Sequence, residues 1–104
     1  MSQSVICSAI HSLHLLRFYY TGDNVHGYRV IEPHTLGYHK TSGNLMVNGW
    51  LTAGVSESDK APWWRDYLLS EMTQVSELTD SFAGAESGYV KGGGKKFGTV
   101  ICDL

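Results

Sequence analysis

Arginine is the side chain of this sequence best suited to hold an anion, because its planar guanidinium presents a rigid fork that fits a phosphate or carboxylate through two parallel hydrogen bonds. Arg29 stands in the run Tyr28-Arg29-Val30-Ile31-Glu32-Pro33-His34, and Arg65 follows the adjacent pair Trp63 and Trp64. Aromatic rings beside such cations are stacking platforms for nucleobases, and His34 adds an imidazole that titrates near neutrality. These residue types point to binding rather than to bond-making. The plain alternative is that Trp50 and one of the Trp63–Trp64 pair are core residues, while both arginines form rim ion pairs with Glu32, Asp66 or Glu71. Adjacent tryptophans on a regular strand face opposite ways, so one of the pair must be exposed or lie under a neighbouring element.

Other chemistries lack their residues. The five histidines are scattered; His11 and His14 share a helix face, but no cysteine or carboxylate accompanies them as a zinc site would require. No Gly-x-Ser-x-Gly elbow and no cysteine with a local activating motif is present. Carboxylates such as Asp66 and Glu71 fall where solvation explains them. Lys91-Gly92-Gly93-Gly94-Lys95-Lys96 lacks the spacing and the Ser/Thr of a phosphate-binding loop, although it can serve as a flexible anion-contacting segment. The chain is therefore expected to be non-enzymatic, with no metal and no cofactor.

The elements that would position these side chains are short. Val5, Ile6, Ala9, Ile10 and Leu13 form one apolar stripe and predict a helix over about residues 3–14, capped by Ser2 or Ser4. Residues 15–20 turn β-like and end at Gly22-Asp23-Asn24. A strand is expected from Tyr28 to about Tyr38, at a sheet edge or bent at Pro33, which has no N–H to give a ladder. Further strands follow over residues 45–53, 63–70, 75–82 and 97–102. Gly49 marks a bulge or sharp bend. Residues 54–62 read as a polar loop, and residues 84–96 as a Gly/Lys-rich one. Leu13, Val30, Val47, Leu69, Val75 and Ile101 are expected in the core. The fold class is mainly β: a small, strongly bent antiparallel barrel with one N-terminal α-helix, in a single domain spanning residues 1–104.

Composition limits function further. With 104 residues, 42% hydrophobic and 17% charged, the chain is no disordered segment, and a net charge of −2 excludes a globally basic nucleic-acid binder. The positive excess lies in the first half and after residue 86, while residues 56–86 are strongly acidic. The start has no basic region ahead of an apolar core, and no apolar run approaches the ~18 residues of a membrane span. The expected compartment is the cytoplasm, and the two cysteines, Cys7 and Cys102, are expected to be reduced, small apolar side chains.

The order of blocks resembles the WYL domain family. The helix with Ile10 and Leu13, the strand ending Phe18-Tyr19-Tyr20, and the Arg29-to-His34 block are similar to its opening; Trp64-Arg65-Asp66-Tyr67-Leu68-Leu69, then Met72, Val75, Leu78 and Phe82, are similar to its later segments. The resemblance covers roughly residues 6–82. The naming Trp-Tyr-Leu triplet is absent: the aligned stretch reads Asn44-Leu45-Met46. The resemblance implies an SH3/Sm-like barrel and a stand-alone ligand-sensing or regulatory module. It maps a polar ligand site onto Tyr20, Arg29, His34 and Arg65. The expected ligand is a single-stranded nucleic acid or nucleotide, and replacing both arginines by alanine is expected to weaken binding while leaving the thermal midpoint nearly unmoved. In the other reading the chain is a self-assembling subunit with no such ligand. Either way a homo-oligomer is expected, through the unprotected edge Thr99-Val100-Ile101-Cys102.

Overall fold

A computed structural model describes residues 2–54 and 63–104; apart from Gly54, the loop expected over residues 54–62 lies outside the described residues. Helix α1 (Ser2–Ser12) forms where the apolar stripe predicts it. Ile6, Ala9 and Ile10 are fully buried, whereas Leu13 is only half-buried because it adopts the left-handed backbone, φ 58°, that ends the helix.

Six strands follow: β1 (His14–Tyr20), β2 (Gly27–His39), β3 (Leu45–Gly54), β4 (Trp63–Leu68), β5 (Met72–Ser81) and β6 (Phe97–Asp103). They form one antiparallel sheet in the order β4-β3-β2-β1-β5, with β6 also paired to β2. The two ends of that path, β4 and β5, are joined by a single 3-10 turn, Leu69–Glu71. Strands at opposite ends of a sheet meet across three residues only if the sheet curls back on itself, and the fold is the strongly bent, mainly β architecture expected from the sequence.

Strand β2 is the spine. β3 runs along one side of it, while the other side passes from β1, paired at Gly27–Ile31, to β6, paired at Thr35–His39. Pro33 stands in the gap between those two partners, so its missing N–H falls at the handover. It lies in a central strand, not at an edge, and the register slips there by one residue, between Pro33↔Gly49 and Thr35↔Asn48. Gly49 is required at that crossing, since a Cβ on it would sit 2.8 Å from the Glu32 carbonyl oxygen.

A second slip, between Val30↔Ala53 and Ile31↔Leu51, places its extra residue on β3 and leaves the alternation of β2 unbroken there; two core expectations are nonetheless corrected. Arg29 and Ile31, not Val30, take the inner face at the start of β2, and Val30 is half-buried. On β6, Phe97 and Cys102 are buried while Ile101 is 39% exposed. Val47 is fully buried as expected, and Leu69 and Val75 pack partly buried against a core of Ile6, Ile10, Leu16, Phe18, Ile31, Leu36, Leu51 and Tyr67.

The expectation of reduced cysteines is also corrected: Cys7 and Cys102 form a disulfide. Packing of α1 across β6 brings their Cα atoms to 5.8 Å, inside bridging range. The bond closes the chain across 95 residues, so on chain entropy alone it removes much of the freedom of the unfolded state. Reduction, or Cys7→Ser with Cys102→Ser, is expected to lower stability by about 2–5 kcal/mol. Thermal melting with and without reductant measures this; an unchanged midpoint would show that packing alone holds the two ends together.

Candidate functional site

Three of the four site residues expected from the sequence converge at one end of the sheet. Tyr20 ends β1, Arg29 lies near the start of β2, and Arg65 sits midway along β4 on the same face as Trp63 and Tyr67. The register Tyr20↔Gly27 leaves residues 21–26 as the turn between β1 and β2, and that turn folds Asp23 back over the arginines. The Arg29 Nη1 and Nη2 groups donate to the two Asp23 carboxylate oxygens, each at 3.1 Å, and Arg65 Nη2 donates to Asp23 Oδ2 at 3.3 Å. Arg29 also donates to the Val25 carbonyl.

Aromatic rings wall this mouth. The Arg29 Cζ lies 5.1 Å from the Tyr20 ring centroid and 5.8 Å from that of Tyr67; the Arg65 Cζ lies 6.0 Å from both Trp63 and Tyr67. Tyr20 Oη accepts the Leu68 N–H at 3.1 Å, which locks its ring beneath Arg29. Burial pushes the Tyr20 and Tyr67 phenols up, so both rings remain neutral. For Asp23, burial works upward, but the hydrogen bonds from Arg29 and the Val25 N–H, with the charges of both arginines, outweigh it and hold the carboxyl below its ordinary value. Arg29 has no exposed surface and the Asp23 side chain is 12% exposed. Three buried polar atoms around these cations, Arg29 Nε, Tyr67 Oη and Trp63 Nε1, have no partner in hydrogen-bonding geometry among the described residues. Among the described residues, the two guanidinium groups thus meet on the one carboxylate of Asp23.

The rim pairs weighed from the sequence, with Glu32, Asp66 or Glu71, are not the ones shown for either arginine; the carboxylate between them is Asp23. Gly22-Asp23-Asn24 reads correctly as a turn, but its role as counter-ion depends on the hairpin bringing residue 23 back onto residue 29. Tyr67 and Trp63 are further members that the sequence reading did not assign to the site.

His34 does not join the mouth. Its parity along β2 is opposite to that of Arg29, and it lies on the other face of the sheet, where it is fully buried. There its ring packs against Trp64, Phe82 and Tyr89, with centroids 4.7, 5.6 and 5.4 Å away. Its Nδ1 lies 2.8 Å from the Glu32 carbonyl oxygen and its Nε2 accepts the Glu86 N–H at 3.1 Å. A carbonyl can only accept, so Nδ1 carries the proton and the ring is neutral; burial accordingly pushes its pKa down, against the Glu32 carbonyl and the charges of Glu86 and Asp103. Both nitrogens are thereby spent on structure.

Residues 82–96 cover this second face. Trp64 Nε1 donates to the Ser87 carbonyl at 2.8 Å, and Trp50 packs edge-on against Trp64 rather than in the main core. Asp103 pegs the segment down: Thr35, Tyr89 and the Gly92 N–H all donate to it, each at 2.7 Å. Lys96 pairs with Asp66 at 2.9 Å and Lys91 with Asp103 at 3.5 Å. These two lysines of the Gly/Lys-rich loop tie it to the sheet. Gly93, at φ 75°, closes the turn where a Cβ would strike the Phe97 ring.

No protein-family model matches the sequence, and no curated protein matches it. Among solved structures, the chain is similar to proteasome accessory factor B/C (PafBC) of Arthrobacter aurescens, with 26% identity and a TM-score of 0.66 over 83% of this chain. The matched part is 13% of the PafBC chain, so the likeness concerns one module of a much longer protein. It supports a WYL-like fold.

The covered face carries a pH dependence of definite sign. Burial, then the hydrogen bond and charge of Glu86, push the Glu32 carboxyl from 4.5 up to about 7. The folded chain therefore favours protonated Glu32, and that contribution is full at acid pH and lost as pH rises through about 7. His34 acts oppositely, its contribution fading only below its ordinary value of 6.5. The thermal midpoint is expected to fall between about pH 6 and about pH 8, and Glu32→Gln to flatten that fall. A parent midpoint that stays level over this range, or a variant that falls as steeply as the parent, would contradict the assignment.

Proposed function

We propose that this chain is a WYL-like, non-catalytic module that binds a phosphate-bearing ligand, a single-stranded nucleic acid or nucleotide, at the Arg29–Arg65 mouth. The observation that carries this reading is the convergence of two guanidinium groups from different strands on one small acidic seat, walled by Tyr20, Tyr67 and Trp63. Guanidinium forks take phosphate oxygens, and the rings offer faces to bases. The fold shared with part of PafBC and the block order shared with WYL domains support a regulatory or ligand-binding role. No described helix is long and apolar enough to cross a membrane. The closed Cys7–Cys102 pair fits an oxidising compartment better than the cytoplasm expected from sequence.

The burial of Arg29 changes the variant that tests this. Removing its side chain together with that of Arg65 takes both cations shown on Asp23 away, which costs about 3–5 kcal/mol, so the double alanine change would unsettle the fold and not only the ligand. Arg65, with 23% of its side chain exposed, is the better probe. Arg65→Gln is expected to weaken binding of a fluorescent ten-nucleotide oligothymidine more than tenfold while lowering the midpoint only slightly, and parent affinity should fall with added salt. Anisotropy titration reads both. Absence of parent binding at low salt, or equal binding by parent and variant, would overturn the reading.

One observation favours the second reading, self-assembly. β6 pairs with β2 alone among the described strands, and Val100 and Ile101 on it are 42% and 39% exposed. An open edge with apolar side chains invites strand pairing with another copy. Light scattering is then expected to return a multiple of 11.5 kDa; a mass equal to one chain at micromolar concentration would exclude it.

A further inference from the structure

Resting on the proposed ligand reading, we infer that the Asp23 turn is an internal stand-in for the ligand's phosphate, a carboxylate plug that must leave the mouth before the ligand enters. Asp23 uses the geometry an anionic ligand would use: both oxygens take Arg29 and one also takes Arg65. The fit is incomplete. A carboxylate has two oxygens, and here they serve four donors, three from the arginines and the Val25 N–H at 3.0 Å. Trp63 Nε1 remains unanswered among the described residues, and Arg29 Nε and Tyr67 Oη have each other's groups nearby, outside good hydrogen-bonding geometry. A terminal phosphate presents three strong acceptor oxygens and close to two negative charges. Its added oxygen offers an acceptor to buried donors that Asp23 does not reach.

The turn is placed to move. Residues 21–26 lie outside the ladders, between the end of β1 and the start of β2. Gly22, Asn24 and His26 are exposed, and the turn reaches the inner face through Asp23 and Val25, both held by Arg29. Lifting residues 22–26 breaks the bonds of the arginines to Asp23 and to the Val25 carbonyl, and leaves every strand pairing and the Thr21 N–H bond to the Glu71 carbonyl intact. Asp23 is itself partly exposed at the rim, so the seat opens outward when it leaves. A plug closed most of the time lowers apparent affinity by the fraction of molecules that are open. Neutralising the plug should recover that factor.

The test compares parent and Asp23→Asn on the ten-nucleotide oligothymidine bearing a 5′-phosphate and on inorganic pyrophosphate, with hydrogen exchange of residues 21–28 followed by mass spectrometry. Asparagine keeps the turn's shape and its acceptor for the Val25 N–H, but it gives up the charge. The expected result is binding by the variant more than tenfold tighter than by the parent, together with faster exchange of residues 21–28 in the parent when either anion saturates it. Equal affinities with slowed or unchanged exchange would overturn the plug and leave the mouth as the binding site. Weaker binding by the variant would also overturn it, making Asp23 a residue that positions the arginines. Should no anion bind either protein at low salt, the ligand reading fails and the plug with it. If the variant does not fold, exchange in the parent alone decides: ligand-induced loosening of the turn supports the plug, and ligand-induced protection refutes it.

Discussion

A fully buried guanidinium is the constraint around which the rest of this small fold is arranged. Arg29 has no exposed surface, and an unpaired charge so placed would cost far more than any single apolar contact returns. It must therefore be met by a carboxylate, and the β1–β2 turn carries that carboxylate as Asp23. It must also be walled, and Tyr20 and Tyr67 supply faces whose ring electrons attract a cation. Those rings stack edge-on against each other and against Phe18, with centroids 4.9–6.0 Å apart, and so join the mouth to the hydrophobic core. The charge and the core are consequently one packing problem. Such an arrangement is an inefficient way to gain stability, since a buried ion pair rarely outperforms apolar side chains of the same volume; its use at this position is more readily understood as recognition.

Alternation along β2 decides what the two faces of the sheet do. Upstream of the slip at Pro33, odd residues of β2 point inward and deliver Arg29 to the mouth. His34, of the opposite parity, faces residues 82–96, where its two nitrogens act as a fixed donor and a fixed acceptor. One strand thus serves an arginine that stays charged and a histidine that stays neutral, a few residues apart. Without the slip, regular alternation would put residues 29 and 34 on opposite parities in any case; with it, Leu36 is returned to the core alongside Ile31.

Much of this was legible in the residues. The apolar stripe of α1, the turn signals at Gly22 and Gly43, and the alternation in β1, β3 and β4 translate directly into the observed elements. So does the opposition of Trp63 and Trp64, one packed toward the core and the other under the covering loop. Tyr20, Arg29 and Arg65 are also recoverable, because cations and aromatics on strands are few. What strand periodicity cannot show is a change of register: the slip at Pro33 returns Leu36, of the same parity as His34, to the core alongside Ile31. Nor does spacing reveal partners joined by folding alone. Asp23 and Arg29 meet across a hairpin, and Cys7 and Cys102 meet across nearly the whole chain. Local turn propensity accounts fully for Gly22-Asp23-Asn24, and for that reason conceals the second role of its aspartate.

Stiffness is distributed unequally between the two ends of β2. At its C-terminal end, β6 lies along it, the disulfide ties β6 to α1, and Asp103 pegs the covering segment through three hydrogen bonds. At its N-terminal end the connection to β1 is a turn anchored at Thr21 by the Glu71 carbonyl, and its tip meets the sheet through the two arginines. Covalent and backbone links are insensitive to a bound anion, whereas side-chain contacts to a carboxylate compete directly with one. A phosphate arriving at the mouth would therefore find Asp23 as its competitor there. The energy of that exchange would be spent on moving the tip of the turn, while the frame that holds Arg29 and Arg65 in position stays as it is.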